Sequence, residues 1–196
     1  MQLALFDFDH TISTCDTYSR FLRLVATPQQ LARARWTVGP WLLGYRAGLV
    51  SAAGIRARAT RVAFAGRDAA TIASLAATYA GDELPRLLRP QVMARLAWHL
   101  RQGHRVAVVS GSLDLYLRPW CERHGLDLLC NRLEAHGGVL TGRYEGADVG
   151  PRKADEIRLR YALEDFQRIH AYGDSREDRP MLALAHERWY AGKRIA

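Results

Sequence analysis

LALFDFDHT, residues 3–11, is an apolar run that ends in two aspartates one residue apart. The run is short, aliphatic and aromatic, and it predicts a buried parallel strand. Burying carboxylates beyond such a strand costs free energy unless something pairs with them. Asp7 and Asp9 therefore need partners from elsewhere in the chain.

Two further apolar runs end in the same polar manner. RVAVVSGS (105–112) stops at Ser110, and RIHAYGDSREDRPML (168–182) passes into Asp174 and Asp178. Helical patterns lie around them: RPQVMARLAWHLRQGH (89–104), ended by Gly103; LDLYLRPWCERHG (113–125); and PRKADEIRLRYAL (151–163). LDLLC (126–130) predicts a short strand, NRLEAHGGVLTGRYEG (131–146) a β-hairpin turning on Gly137-Gly138, and ERWYAGK (187–193) a last strand. Strands alternating with helices define an α/β fold with a mostly parallel sheet. Ligands of such sheets bind beyond the carboxyl ends of the strands, which would gather these acids at one edge. Acids crowded there repel one another unless a hard divalent cation sits among them. Mg²⁺ suits one or two carboxylates, waters and substrate phosphate oxygens.

Residues 17–84 have another character. DTYSRFLRLVA (16–26) and the segment after Pro28 are helical, with a break at Gly39-Pro40. Residues 51–79 are helical again, with an interruption at Gly66 and a cap at Asp68. No strand pattern divides this stretch.

The motifs together resemble the haloacid dehalogenase superfamily of phosphohydrolases, in particular its subfamily IB, the phosphoserine-phosphatase-like branch. DFDHT looks like its DxDxT motif and VVSGS like its Ser/Thr-bearing motif. Lys153 in GPRKADEI resembles the third motif and GDSREDRPML the GDxxxD motif, all in family order. The resemblance implies a Rossmann-like three-layer α/β/α core of residues 1–16 and 85–196. A helical cap of residues 17–84 would be inserted after the first strand. It also implies a Mg²⁺-dependent phosphomonoesterase. Asp7 would be the nucleophile and form an aspartyl-phosphate, and Asp9 the general acid and base. Ser110, the Gly111 amide at the start of a helix, and Lys153 would hold the phosphoryl group. Asp7, the backbone carbonyl of Asp9 and Asp174 would ligate the metal, with Asp178 ligating through water or orienting the others. Taken alone, Lys153 also reads as a surface lysine and Asp178 as a helix cap. His10 stands where the family often has glycine.

In that branch an acid soon after DxDxT binds the substrate amine and a cap arginine binds its carboxylate. Asp16 and Arg61 stand at those places, which points to a small phosphorylated metabolite of the phosphoserine kind. Asp16 reads equally as an N-cap, and it is one methylene shorter than the usual glutamate. WTVGPWLLGY (36–45), flanked by Arg35 and Arg46, is either cap core or a greasy face for a lipid phosphate such as phosphatidylglycerophosphate. A phosphotransferase is a further alternative, since an aspartyl-phosphate can pass to an alcohol.

Composition sets the outer bounds. The 196 residues are 48% hydrophobic and 24% charged, ordinary for one soluble globular unit. Lys and Arg number 28 against 20 Asp and Glu, a formal charge of +8 that favours anionic ligands. No aromatic-rich RNA motif or recognition helix accompanies it, so no nucleic-acid partner is expected. Three widely spaced cysteines without CxxC fit reduced thiols in a cytoplasmic protein. No apolar run approaches a membrane span, and no secretory leader pattern precedes the first strand. The remaining histidines show no metal-ligand spacing.

Overall fold

The computed structural model describes the backbone of residues 1–196 and every side chain but that of Arg46. Its centre is β1 (Gln2–Phe6), flanked by β2 (Arg105–Leu113) on one side and β6 (Arg168–Gly173) on the other. β3 (Asp127–Asn131) and β7 (Glu187–Tyr190) extend the sheet outward, all in parallel. A two-residue β8 (Lys193–Arg194) turns back antiparallel on β7, which the ERWYAGK reading had not separated from it. The six-stranded order is β3-β2-β1-β6-β7-β8.

Alternation along β1 divides the core. Leu3 and Leu5 face Ile157 of α8 (Lys153–Arg160) and Met181 of α9 (Arg179–Ala183). Ala4 and Phe6 face Leu96 of α6 (Pro90–Arg101) and Trp120 of α7 (Asp114–His124). Helices thus cover both faces, as a parallel sheet requires.

The helical stretch between β1 and α6 comprises α1 (Thr17–Val25), α2 (Pro28–Thr37), α3 (Gly39–Arg46), α4 (Ala52–Phe64) and α5 (Ala69–Thr78). Asp68 caps α5 by accepting from the Thr71 amide at 2.7 Å. The break expected at Gly39-Pro40 is only a junction, because α3 begins at Gly39 itself. Phe21, Phe64, Ile72 and Tyr79 are buried in the same core as Phe6 and Trp120, so α1, α4 and α5 are anchored to the sheet domain. α2 buries no side chain. The exposed apolar residues Trp36, Leu43 and Leu49 cluster in and around α2 and α3.

The hairpin of β4 (Leu133–His136) and β5 (Val139–Tyr144) turns at Gly137-Gly138 as expected, but it packs on α4 rather than joining the main sheet. A Cβ on Gly142 would meet the Ala65 side chain at 2.9 Å and the Arg61 Cα at 3.0 Å. That close approach of strand to helix needs glycine. Among the described residues, no helix is long and apolar enough to cross a membrane.

Candidate active site

Parallel register puts the ends of β1, β2 and β6 at one edge: Phe6 pairs with Val108 and with Tyr172. The Asp7 amide continues the ladder to the Tyr172 carbonyl at 2.9 Å. The chain then leaves β1 in an irregular turn where Asp9 is extended and His10 is left-handed (φ 58°). A left-handed residue explains why glycine suits this position; histidine is among the side chains that tolerate it best. His10 lines the rim of the cleft.

Lys153, the first residue of α8, is buried between two acids. Its Nζ lies 2.5 Å from Asp7 Oδ1 and 2.5 Å from Asp178 Oδ1. Burial alone would favour the neutral amine, but these two carboxylates outweigh it and hold the ammonium above its ordinary pKa. Burial pushes the Asp7 carboxyl well up, and Lys153 opposes that while Asp178 adds to it. For Asp178, burial is overcome by Lys153 and by the Ser175 hydrogen bonds, and its pKa is lowered. Its second oxygen accepts from the amides of Asp174 (3.1 Å) and Ser175 (2.8 Å) and from the Ser175 hydroxyl (2.7 Å).

The Asp9 carboxylate turns the other way. Oδ1 accepts from the Thr17 amide at 2.7 Å and from the Thr17 hydroxyl, and Oδ2 accepts from the Ser112 hydroxyl at 2.5 Å. Burial, then the charge of Asp16, raises its pKa against those hydrogen bonds. A hydroxyl partner can donate or accept, so the site accommodates Asp9 in both charge states. Ser110 is buried, and its oxygen accepts from the Ser112 amide at 3.1 Å, which leaves the hydroxyl proton free to donate into the cleft. Gly111 also lines the cleft but does not start a helix. β2 continues through an irregular register to Leu113, and α7 begins only at Asp114.

One oxygen from each of Asp7, Asp174 and Asp178 lies within 4.8 Å of the others. Three carboxylates and one ammonium leave a formal charge of −2 at this point. Hard oxygen donors with that surplus fit a divalent cation of the Mg²⁺ kind. Both Asp178 oxygens are already hydrogen-bonded, which favours its role in orienting Lys153 and the loop. Among the described residues, the Asp174 carboxylate accepts only from the Thr11 hydroxyl, at 3.1 Å.

Above this floor opens a cleft of about 570 Å³. Its roof is largely apolar: Leu22, Val38, Leu42, Tyr45 and Ile55 line it beside the Arg56 guanidinium, and Arg176 lines the cleft from the sheet domain. Arg56 reaches from α4 across to the sheet domain. Its Nε donates to Asp148 at 2.8 Å and its Nη2 to Glu177 at 2.9 Å. A Cβ on Gly150 would overlap the Arg56 guanidinium, so glycine there admits the side chain. Asp148 accepts in turn from Asn131 Nδ2 at 3.1 Å, and Asn131 Nδ2 also donates to the Gly111 carbonyl at 2.7 Å. The arginine is thereby tied to the end of β2.

Arg61, expected in the cleft, is not there. It is exposed, with its backbone against β5. Asp16 lines the cleft but caps α1, accepting from the Ser19 amide (2.7 Å) and hydroxyl (2.6 Å). The residues the sequence reading missed are Thr17, Ser112, Arg56, Asn131 and Asp148. Ser112 alone had a signal, standing two residues beyond Ser110 on the same strand.

The strand ends of this α/β sheet and the turns beyond them gather four aspartates in one crevice, and the start of α8 adds a lysine. Residues 4–183 match the model of the haloacid dehalogenase-like hydrolases, and the chain belongs to that family of enzymes. It is 32% identical over 196 residues to the CicA protein of Caulobacter vibrioides, covering 96% of this chain and 85% of that one. A protein of unknown function from Bordetella pertussis Tohama I superposes with a TM-score of 0.80 at 25% identity, covering 95% of this chain and 88% of the other. A phosphoserine phosphatase solved as a phospho-aspartyl intermediate analogue shares the fold, with a TM-score of 0.68 at 21% identity over 95% and 84% of the two chains.

Proposed function

We propose that this protein is a Mg²⁺-dependent phosphatase that hydrolyses phosphomonoesters through an aspartyl-phosphate on Asp7. The observation that carries this reading is the buried Lys153 Nζ, 2.5 Å from Asp7 Oδ1 and clamped by Asp178. It orients a carboxylate at the mouth of a cleft and offsets the charge that gathers when a phosphate dianion approaches. Mg²⁺, held by Asp7 and Asp174, supplies the remaining positive charge.

In the first step an Asp7 oxygen bonds to phosphorus and the bond to the alcohol oxygen breaks. Protonated Asp9 gives its proton to that oxygen, and its raised pKa suits the task. In the second step Asp9 takes a proton from water, whose oxygen attacks phosphorus and releases Asp7 and inorganic phosphate. The Ser110 hydroxyl and the Gly111 amide donate to the phosphoryl oxygens. Catalysis is mostly electrostatic, as in other phosphoryl transfers. The phospho-aspartyl form of the phosphoserine phosphatase neighbour supports the covalent step.

The roof bears on the leaving group. An amine-and-carboxylate recogniser made by Asp16 and Arg61 is not assembled: Asp16 is engaged by Ser19 and Arg61 lies outside. Leu42 and Tyr45 line the cleft and are themselves half exposed, next to exposed Leu43 and Leu49. This continuity favours phosphomonoesters with an apolar alcohol, lipid phosphates included, over phosphoserine. We take residues 17–84 as the cap that makes this choice, over a core of residues 1–16 and 85–196.

The test is phosphate release with Mg²⁺ from phosphoserine, a medium-chain alkyl phosphate and phosphatidylglycerophosphate in mixed micelles. We expect kcat/KM to be highest for an apolar ester and to vanish with chelator. A clear preference for phosphoserine would overturn the reading of the roof. No release from any phosphomonoester would overturn the phosphatase.

A further inference from the structure

The opposite end of the same sheet holds a second cluster. His99 comes from α6, His104 from the loop before β2, and His170 from β6. The sequence scatters them, and their spacing is that of no metal motif. Folding brings one ring nitrogen of each within 4.8 Å of the others. His99 and His170 are buried and His104 is half-buried. His170 pairs with Ala4 in the sheet, three residues before Asp7, so the two clusters are roughly 10 Å apart along β1.

The hydrogen bonds prepare these rings as ligands. His99 Nε2 lies 2.9 Å from the Tyr172 hydroxyl, whose oxygen also accepts from Arg95 Nε at 3.0 Å. With its proton on Nε2, His99 presents a lone pair on Nδ1. That nitrogen lies 2.9 Å from His104 Nδ1, a contact that needs one proton between two acceptors. His170 Nε2 lies 2.8 Å from Gln2 Oε1, while its Nδ1 is buried with no hydrogen-bond partner among the described residues. A buried polar atom left unpaired is costly and asks for an occupant. The nearest carboxylate, Glu187, stands off at 3.6 Å and is held by Arg168 at 2.7 Å.

We propose that His99, His104 and His170 form a binding site for one borderline divalent transition-metal ion, Zn²⁺ or its Co²⁺ and Ni²⁺ analogues. Three imidazoles with an open fourth position are a known zinc geometry, and Tyr172 and Gln2 supply the outer hydrogen bonds that fix ring orientation. Nitrogen donors separate this site from the oxygen-only cluster that suits Mg²⁺. All three rings are also biased toward the neutral form that metals need. Burial and the neighbouring imidazoles pull His99 down to about 3, and burial first lowers His104 and His170 as well. On metal binding the shared proton moves to His104 Nε2 and Nδ1 becomes a donor. The ion would tie the end of α6 to the starts of β2 and β6.

The experiment uses untagged, chelator-treated protein in excess Mg²⁺, titrated with ZnCl₂ by calorimetry and with Co²⁺ by visible absorbance. One Zn²⁺ per chain is expected, with Kd at least tenfold higher in His104→Ala and unchanged in Asp174→Asn. No zinc uptake, equal uptake by His104→Ala, or loss of uptake in Asp174→Asn would overturn the site. His104 sits in a loop, and its melting temperature without zinc checks that the variant folds. Should that variant misfold, the wild-type Co²⁺ spectrum decides. Intense four-coordinate bands uphold the site, and a weak six-coordinate spectrum rejects it.

Discussion

At the floor of the cleft, Lys153, Asp9 and Asp178 are each fixed by two or more short hydrogen bonds; at the roof, apolar side chains lie half open and Arg56 spans the gap. The floor is built from strand ends that the sheet holds in register. The roof is drawn from α1, α3 and α4, and of these α3 contributes almost nothing to the core. On the proposed function, the contrast teaches that chemistry and selectivity are held by different forces. Electrostatic order at the floor depends on a rigid scaffold, while the roof can change composition at little cost to the fold.

The largest expected effect tests the floor. Asp7→Asn keeps the shape and removes the proposed nucleophile, so phosphate release should fall by roughly 10⁴-fold or more. Far-UV circular dichroism should be unchanged. Turnover near the parent level would remove Asp7 from the mechanism.

Lys153→Met strikes the floor through its charge balance. It leaves Asp7 and Asp178 facing each other without the ammonium, and breaking one partner of a buried pair costs about 3–5 kcal/mol. Urea unfolding in chelator should show that loss. Added Mg²⁺ should recover part of it by restoring a positive charge nearby. Activity should drop on the order of 10³-fold, the scale seen when a cationic group at a transferring phosphoryl is lost. A variant as stable as the parent in chelator would mean that Lys153 does not hold the two acids together.

The same division governs what could be read from the chain. Asp7, Asp9, Ser110, Asp174 and Asp178 were legible because each follows an apolar run, and parallel strands place such ends together. Lys153 was legible only from its position between motifs. The roof was not legible. Many arginines lie on amphipathic helices there, and helical spacing does not say which face meets the sheet domain. For that reason the sequence points to Arg61 and is silent on Arg56, the one of the two that lines the cleft. Gly111 was placed at a helix start because Ser-Gly-Ser looks like a strand stop, whereas β2 runs on to Leu113. The histidine cluster was hidden for a third reason: its members come from three elements and meet only in the tertiary fold.

Arg56→Ala moves the test to the roof. The guanidinium holds Asp148 and Glu177 at once, and its loss leaves two carboxylates facing an anionic substrate. KM should rise about tenfold with kcat little changed, since Arg56 positions the roof and does not touch the reacting atoms in this geometry. Arg56→Lys should restore only part, because a point charge cannot fork between two carboxylates. A fall in kcat alone would place Arg56 with the floor and dissolve the distinction.

Arg61→Ala is the smallest effect and the sharpest control. Residue 61 lies five positions beyond 56 on α4, about 140° around the helix. A helix cannot present both side chains to the cleft in one pose. Arg61 is exposed, its backbone is fixed against β5 by the close approach at Gly142, and among the described residues it forms no ion pair. Substitution there should change KM less than twofold and stability by less than about 0.5 kcal/mol. Steady-state kinetics beside Arg56→Ala decides the matter. If Arg61→Ala raised KM as much as Arg56→Ala, α4 would have to rotate over the bound substrate, and the roof would be a moving element rather than a fixed wall.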